Sequence, residues 1–575
     1  MNRHARSFLA AAILGAAISV AQASPRIVVT LPPGHSAEGL SGRLLLVLSP
    51  KPDGEPREHV SWDGDAVPFF GMDVENWQPG HKKVFDSKVD GFPVRSLADL
   101  PPGEYRIQAV LNRYEKFMRS DGRTLLLPPD RGEGQVWRSK PGNLYSKPLS
   151  LRLDGERSGR AEVVLDQVIP PVEDFAAKQT KYVRHFSLRS ERLSRFWGRD
   201  IALSAWVRLP WGYDEHPEAR YPLVIAHGHF PAGPDGFRET PPDPALKPDY
   251  SKRFQLEGYN RIQQEYAWQA HQDWITPGFP RVLLVEIQHP TPFYDDSYAV
   301  NSANNGPYGD AIQYELIPAI EKEFRALGTG WSRFVYGGST GGWESMAVQI
   351  FYPDDYNGAW VACPDPIDFR HYVTVDIYKD KNAYVTANPY KRTPRPAHRN
   401  WLGHVDATVE EQNRYETMLG THGRSGDQWD AWESVYSPVG ADGYPRRIWD
   451  RDTGDIDPVT AEYWRENYDL AHILRRDWAT LGPKLRGKLR IYTGDMDNYY
   501  LNNAVYGVEE FLKAASPPAD AVVEYGDRAE HCWNGDHTRA NAYSRLRYPQ
   551  MVLPWVVERI LDTAPDGADV DSWRY

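Results

Sequence analysis

The stretch that most constrains this chain is Gly337-Gly338-Ser339-Thr340-Gly341-Gly342-Trp343. It follows the apolar run Phe334-Val335-Tyr336 and precedes a helical pattern from Trp343 to Phe351. Glycines let a strand turn sharply into a helix, because a residue without Cβ accepts positive φ and close backbone approach. Strand, Gly-x-Ser-x-Gly and helix in that order predict a strained elbow with Ser339 at its apex. The Ser339 hydroxyl would project from the sheet edge as a nucleophile. The Thr340 amide, at a helix N-terminus, would face a developing oxyanion. The alternatives are an ordinary glycine-rich turn and, less well supported, a phosphate loop, whose Lys-Ser/Thr pair is missing.

The surroundings fit that elbow. Leu223-Val224-Ile225-Ala226, Val282-Leu283-Leu284-Val285, Phe334-Val335-Tyr336 and Ala359-Trp360-Val361 are continuous apolar runs, and Leu489-Arg490-Ile491-Tyr492 is a further strand. Such runs mark strands buried on both faces. Helical stretches at Ala311 to Leu327, Trp343 to Phe351 and Asn503 to Ala514 separate them. This alternation predicts an α/β domain with a mostly parallel sheet, opened by paired strands at Tyr182 to Leu188 and Ile201 to Leu209. Residues 364–483 break the rhythm and read as a large insertion over the strand ends, where such sheets bind ligands.

A nucleophilic serine needs a base and an acid that orients it, expected in the chain order Ser, Asp/Glu, His. After Leu489 to Tyr492 comes Thr493-Gly494-Asp495-Met496-Asp497-Asn498, which offers Asp497, with Asp495 as the close alternative. One of these aspartates could instead cap the helix that starts near Asn502. The strand Ala521 to Tyr525 then leads to His531, the favoured general base; His537, placed in the final helix, is its competitor. The second oxyanion donor should follow Leu223 to Ala226, where the chain reads His227-Gly228-His229-Phe230. The amide of His229, or of Phe230, would serve. A rival takes His227-x-His229 as a metal pair with Asp495 or Asp497, but no persuasive further ligand completes it, so no metal site is expected.

At 575 residues the chain should hold two to four domains of about 100–200 residues each. Residues 1–23 read as a signal peptide: Arg3 and Arg6, an apolar stretch from Phe8 to Ala21, then Ala21-Gln22-Ala23 as cleavage site. That stretch is shorter than the roughly 20 residues needed to span a bilayer, and no membrane insertion is expected later. The mature chain should therefore be secreted or periplasmic, where a disulfide is chemically permitted. From Arg26 to about Pro171, short alternating runs such as Arg43 to Leu48, Tyr105 to Leu111 and Leu149 to Leu153 predict an all-β sandwich over residues 24–172. Pro170-Pro171-Val172-Glu173-Asp174 is the linker, and residues 173–575 form the second domain.

Composition narrows the partners. Lysine and arginine total 66 against 78 aspartates and glutamates, a net charge of -12 without a basic run. Nucleic acid and anionic membranes need a basic footprint, so neither is expected. Two cysteines exclude a disulfide-dense scaffold, a cysteine-ligated iron–sulfur cluster and an all-cysteine zinc site. Aromatics reach 13%, with 20 tryptophans, which suggests aromatic-lined binding surfaces.

From about Tyr182 to Leu561 the chain resembles the esterase D-like esterases of the α/β-hydrolase superfamily, which include feruloyl esterases and S-formylglutathione hydrolases. The resemblance rests on Val207-Arg208-Leu209-Pro210-Trp211-Gly212-Tyr213-Asp214, Tyr221-Pro222-Leu223, His227-Gly228, Gly306-Pro307-Tyr308-Gly309-Asp310, Glu315-Leu316-Ile317-Pro318, the elbow and Asp497. It departs at His229-Phe230, where small or leucine-like residues are usual, and in the long insertion. The resemblance implies an α/β-hydrolase fold and a serine carboxylesterase without a cofactor, acting on small-molecule or polysaccharide-linked esters. Leu100-Pro101-Pro102-Gly103-Glu104-Tyr105 is similar to a turn of transthyretin-like and immunoglobulin-like modules. Tannase-like and some feruloyl esterases join a cysteine beside the nucleophile to one after the histidine. That implies a Cys363–Cys532 disulfide, with two unpaired buried thiols as the alternative. A serine peptidase on the same residues, or a carbohydrate-binding protein with a decayed hydrolase domain, are the competing functions.

Overall fold

The computed structural model describes residues 25–34, 38–154, 159–171, 175–229, 236–388 and 390–575. The signal-peptide reading of residues 1–23, the boundary at Val172 and Glu173, and Phe230 lie outside them. No helix among the described residues is long and apolar enough to cross a membrane.

One sheet organises the second half of the chain. Its strands are β1 Val183–Arg189, β2 Ala202–Arg208, β3 Leu223–His227, β4 Leu283–Gln288, β5 Arg333–Gly338, β6 Ala359–Ala362, β7 Leu489–Gly494 and β8 Val522–Gly526. They lie in the order β1-β2-β4-β3-β5-β6-β7-β8. The first two pairings, β1 with β2 and β2 with β4, are antiparallel, and the rest are parallel. This is the strand order of an α/β-hydrolase sheet. Helices α1 Tyr259–Trp274, α2 Thr340–Phe351, α3 Leu470–Leu485, α4 Asn502–Ala514 and α5 Tyr548–Thr563 accompany it. Val224, Ile225, Val285, Phe334, Val335, Val361 and Ile491 are buried, as continuous apolar strands covered on both faces must be. Parallel strands put all their carboxyl ends at one edge, and loops collect there.

The helix expected over Ala311 to Leu327 is broken into Tyr308–Ala311, a π-turn over Ile312–Leu316 and Ile317–Glu323. Pro318, which lacks an amide hydrogen, stands just beyond the π-turn. The last segment of residues 364–483 is α3, which packs against α2 and α4. Before it come two hairpins, Val385–Ala387 with Arg392–Pro394 and Pro396–Arg399 with Val405–Thr408, and the helices Val409–Leu419, Gln428–Tyr436 and Pro458–Asn467. Many tryptophans are consumed here as core. The Tyr372 ring meets those of Trp429, Trp432, Trp449 and Trp464 at 5.1–5.7 Å, mostly edge to face.

The amino-terminal strands form a three-stranded and an eight-stranded sheet. Ile27, Val29, Phe85 and Val163 from the first share a core with Leu44, Leu46, Leu48, Ile107 and Leu111 from the second. Residues Leu44 to Leu48 are apolar without a break because their strand, Leu40–Ser49, is covered on both sides. Leu45 and Val47 face the other way, onto Tyr415, Met418 and Leu419 of the insertion helix. Arg43 ties the contact by donating from Nε to the Met418 carbonyl at 2.9 Å and from Nη2 to that of Thr417 at 3.0 Å. The strand Phe69–Trp77 is an addition to those expected; its Asp73 pairs with Arg43 and Arg424.

Candidate active site

The elbow forms where β5 runs into α2. Ser339 has φ 59° and ψ −122°, a conformation disfavoured for a residue with a side chain and held here by its neighbours. The flanking glycines explain how. A Cβ on Gly341 would lie 2.0 Å from the His227 carbonyl oxygen, and one on Gly337 would lie 2.5 Å from the Gly341 backbone. Only glycine lets α2 come this close to the ends of β3 and β5. Thr340 is the first residue of α2 and is fully buried, with its Oγ1 donating to Asp365 Oδ2 at 3.0 Å.

Ser339, His531 and Asp497 come together from three different loops. Ser339 Oγ stands 2.9 Å from His531 Nε2, and His531 Nδ1 stands 2.7 Å from Asp497 Oδ2. The other Asp497 oxygen accepts from the Tyr499 and Leu501 amides at 2.9 and 3.3 Å, which fixes the carboxylate in the turn after β7. Asp495 points away and accepts from the Tyr506 hydroxyl at 3.2 Å. His537 lies ahead of the final helix, not within it, and pairs with Glu524 on the surface. The His531 backbone is pinned on both sides: its amide donates to Asn498 Oδ1 at 3.1 Å, and its carbonyl accepts from Arg253 Nη2 at 2.7 Å.

Burial opposes charging the His531 ring, but the Cys532 sulfur and the Asp497 carboxylate outweigh it and raise its pKa above the ordinary 6.5. His229, by contrast, is pushed down to about 4 by burial. Its Nδ1 lies 3.0 Å from the Tyr294 hydroxyl, and the two rings stack. The two histidines face different partners: His227 faces Glu344 and His229 faces Tyr294. Cys363 and Cys532 are free cysteines in this structure. They are neighbours, within 4.8 Å of each other and of a His531 nitrogen, and their side chains are hydrogen-bonded. Cys363 Sγ also accepts from the Ser339 amide at 3.2 Å.

Two residues at this centre were not singled out in the sequence. Asp365, just beyond β6, has Oδ1 3.3 Å from Ser339 Oγ. Its Oδ2 accepts from the Tyr298 hydroxyl at 2.7 Å, Thr340 Oγ1 at 3.0 Å and Trp432 Nε1 at 3.1 Å. Its position after the strand next to β5 was the available signal. Trp62 comes from the amino-terminal region. With Tyr294, Tyr415, Trp429, Trp432 and Tyr499 it lines a cavity of about 380 Å³ that contains Ser339, Asp365 and His531. Trp62 meets the His398 ring at 4.9 Å, His398 meets Tyr499 at 4.9 Å, and Tyr499 meets His531 at 5.0 Å.

The family described as Putative esterase, of the Esterase model, matches residues 199–540, more than half of the chain and all of the three loops just described. The chain belongs to the Esterase family. No curated protein matches the sequence. Among solved structures, this Esterase-family chain is similar to a ferulic acid esterase (14% identity, TM-score 0.34), with 66% of this chain and 98% of the other covered. It is similar to an S-formylglutathione hydrolase from Agrobacterium tumefaciens (14%, TM-score 0.32, 66% and 98%). Est1E from Butyrivibrio proteoclasticus is a third (11%, TM-score 0.30, 65% and 99%).

Proposed function

We propose that this Esterase-family chain is a serine hydrolase of carboxylic esters, with Ser339 as nucleophile, His531 as general base and acid, and Asp497 as the orienting carboxylate. The observation that carries the reading is the continuous link from Ser339 Oγ through both His531 nitrogens to Asp497 Oδ2, at 2.9 and 2.7 Å.

In the first half-reaction Ser339 Oγ attacks the ester carbonyl carbon while its proton passes to His531 Nε2. The carbonyl π electrons move onto oxygen, where the Thr340 and His229 amides would meet the charge. Asp497 holds the His531 tautomer and stabilises the imidazolium. Collapse of the tetrahedral adduct breaks the bond to the alcohol oxygen, which leaves with the His531 proton. Water then repeats the sequence on the acyl-enzyme, releases the acid and restores the serine. The aromatic walls of the cavity favour an ester with an aromatic acyl or alcohol group, free or linked to a polysaccharide.

Further parts of the reading are proposals of the same kind. The amino-terminal sheets act as a β-sandwich module that completes the cavity through Trp62. Residues 1–23 direct export and are removed after Ala23. Mass of the mature chain recovered from periplasm or medium tests the last point; a chain retained with residues 1–23 in place contradicts it.

The deciding experiment treats the purified chain with a fluorophosphonate probe beside Ser339→Ala and His531→Ala, and maps the labelled peptide. Labelling at Ser339 that is lost in both variants is expected, followed by turnover of aromatic esters in preference to peptides. A folded, monodisperse chain that takes no label overturns the assignment.

A further inference from the structure

Behind the nucleophile helix, four ionisable side chains that the proposed ester chemistry does not use converge in the dry interior. Glu344 stands on α2, five residues after Ser339. His227 ends β3, His289 follows β4, and Asp296 lies in the loop beyond. Glu344 and Asp296 are 0% exposed, His289 1% and His227 7%.

Burying two carboxylates without a cation is costly, and such groups are normally paired or bound to a metal. Here neither has a lysine or arginine partner among the described residues. The two carboxyl groups face each other beside the Gly228 backbone. Yet both Glu344 oxygens, Asp296 Oδ2 and both His227 nitrogens lack a well-formed hydrogen bond among the described residues. Their lone pairs are aimed into one small volume. His227 Nδ1 is 3.7 Å from Glu344 Oε2, and His289 Nε2 is 3.8 Å from Glu344 Oε1. The ligand atoms of His289, Asp296 and Glu344 all lie within 4.8 Å of one another.

The two histidine-to-Glu344 separations are too long for direct hydrogen bonds. They match ligand-to-ligand edges around a metal, since two atoms each about 2.1 Å from the ion stand about 3–4 Å apart. The outer partners also fit. His289 Nδ1 meets Ser297 Oγ at 2.7 Å and the Ser297 amide at 3.3 Å, which orients the ring with Nε2 toward Glu344. Asp296 Oδ1 accepts from the Tyr298 amide at 2.8 Å, which leaves Oδ2.

We propose that His289, Asp296 and Glu344 form a site for a divalent first-row transition metal of the zinc class, beside His227, which faces Glu344. One imidazole and two carboxylates suit such an ion by donor type and by charge, because two anions balance a dication. The site joins the segment after β4 to the helix that carries Ser339, next to the end of β3. Its role is to hold those two segments in register, apart from the bond-breaking steps.

The test uses the full, tag-free chain, stripped with dipicolinate and titrated with Zn²⁺ or Co²⁺. One equivalent of metal by mass spectrometry is expected, with a higher thermal midpoint. The Co²⁺ form should show visible d–d bands without thiolate-to-metal charge transfer, and Glu344→Gln should lose the equivalent. A wild-type chain that binds no stoichiometric metal in excess Zn²⁺ or Co²⁺, and whose midpoint ignores metal and chelator, overturns the site; the carboxyls then share a proton. Thiolate charge-transfer bands also overturn it, because they place the ion at Cys363 and Cys532. These readouts do not use ester turnover, so they stand or fall separately from the hydrolase reading.

Discussion

Ser339 Oγ lies 3.3 Å from Asp365 Oδ1 as well as 2.9 Å from His531 Nε2. A second carboxylate thus borders the hydroxyl, and four donors hold it in place: Tyr298, Thr340, Trp432 and, at 3.4 Å, Gln428 Nε2. Asp365→Asn keeps the shape but sets an amide among those donors. Leaving buried donors unpaired costs about 1–3 kcal/mol each. A lower thermal midpoint and slower fluorophosphonate labelling of Ser339 are expected. A lower midpoint with an unchanged labelling rate would confine Asp365 to scaffolding.

Trp62 reaches the cavity from a region far from Ser339 in sequence, and it touches His398 in place of the reacting groups. Trp62→Ala should raise KM for a bulky aromatic ester about five- to tenfold, the size of a lost aromatic contact of about 1 kcal/mol or slightly more. An acetyl ester, too small to reach that wall, should keep its kcat/KM. Equal losses on both substrates would count against a wall that selects bulk.

The two aspartates after β7 separate cleanly. Asp497→Asn removes the acceptor of the His531 Nδ1 proton, and kcat should fall on the order of 10⁴-fold. Asp495→Asn alters only a surface bond to Tyr506 and should leave kcat within about twofold, as exposed substitutions usually do. Steady-state kinetics on one chromogenic ester checks both.

The pH profile carries the sign of the His531 shift. Only neutral imidazole can accept the Ser339 proton, so activity should rise as pH climbs through the His531 pKa. Burial pulls that pKa down, and Cys532 and Asp497 more than compensate, so the half-maximal point of kcat/KM should lie above 6.5. Cys532→Ser removes one raising group and should move the point to lower pH. A wild-type acid limb centred below 6.5 would contradict the arrangement.

Local order carried much of this reading. Continuous apolar runs marked β3 to β6, and glycines around Ser339 marked the elbow, because burial on both faces and close backbone approach each restrict residue type directly. Chain order then put His531 and an aspartate after the last strands. The rest depends on contacts between distant residues. Phe69–Trp77 went unmarked, and its Asp73 finds its partners in Arg43 and Arg424, elsewhere in the chain. The packing of α3 against α2 and α4 was not legible, because a helix declares its amphipathic face but not its neighbours. The tryptophans are divided between two uses: Trp429, Trp432, Trp449 and Trp464 surround Tyr372, while Trp62, Trp429 and Trp432 also line the cavity.

The sequence alone therefore determined the strand–elbow–helix unit, the parallel sheet around it and the loops that could supply a base and an acid. Each depends on residue type within a few positions. Tertiary structure decided which side chains meet. It chose Asp497 over Asp495 by the direction of a carboxylate in one turn, and it set Cys363 against both the Ser339 amide and Cys532. It also brought Asp365, Trp62 and the buried Glu344 group to the same end of the sheet. Those relations span up to hundreds of residues, and packing fixes them through directions and distances that spacing along a chain does not encode.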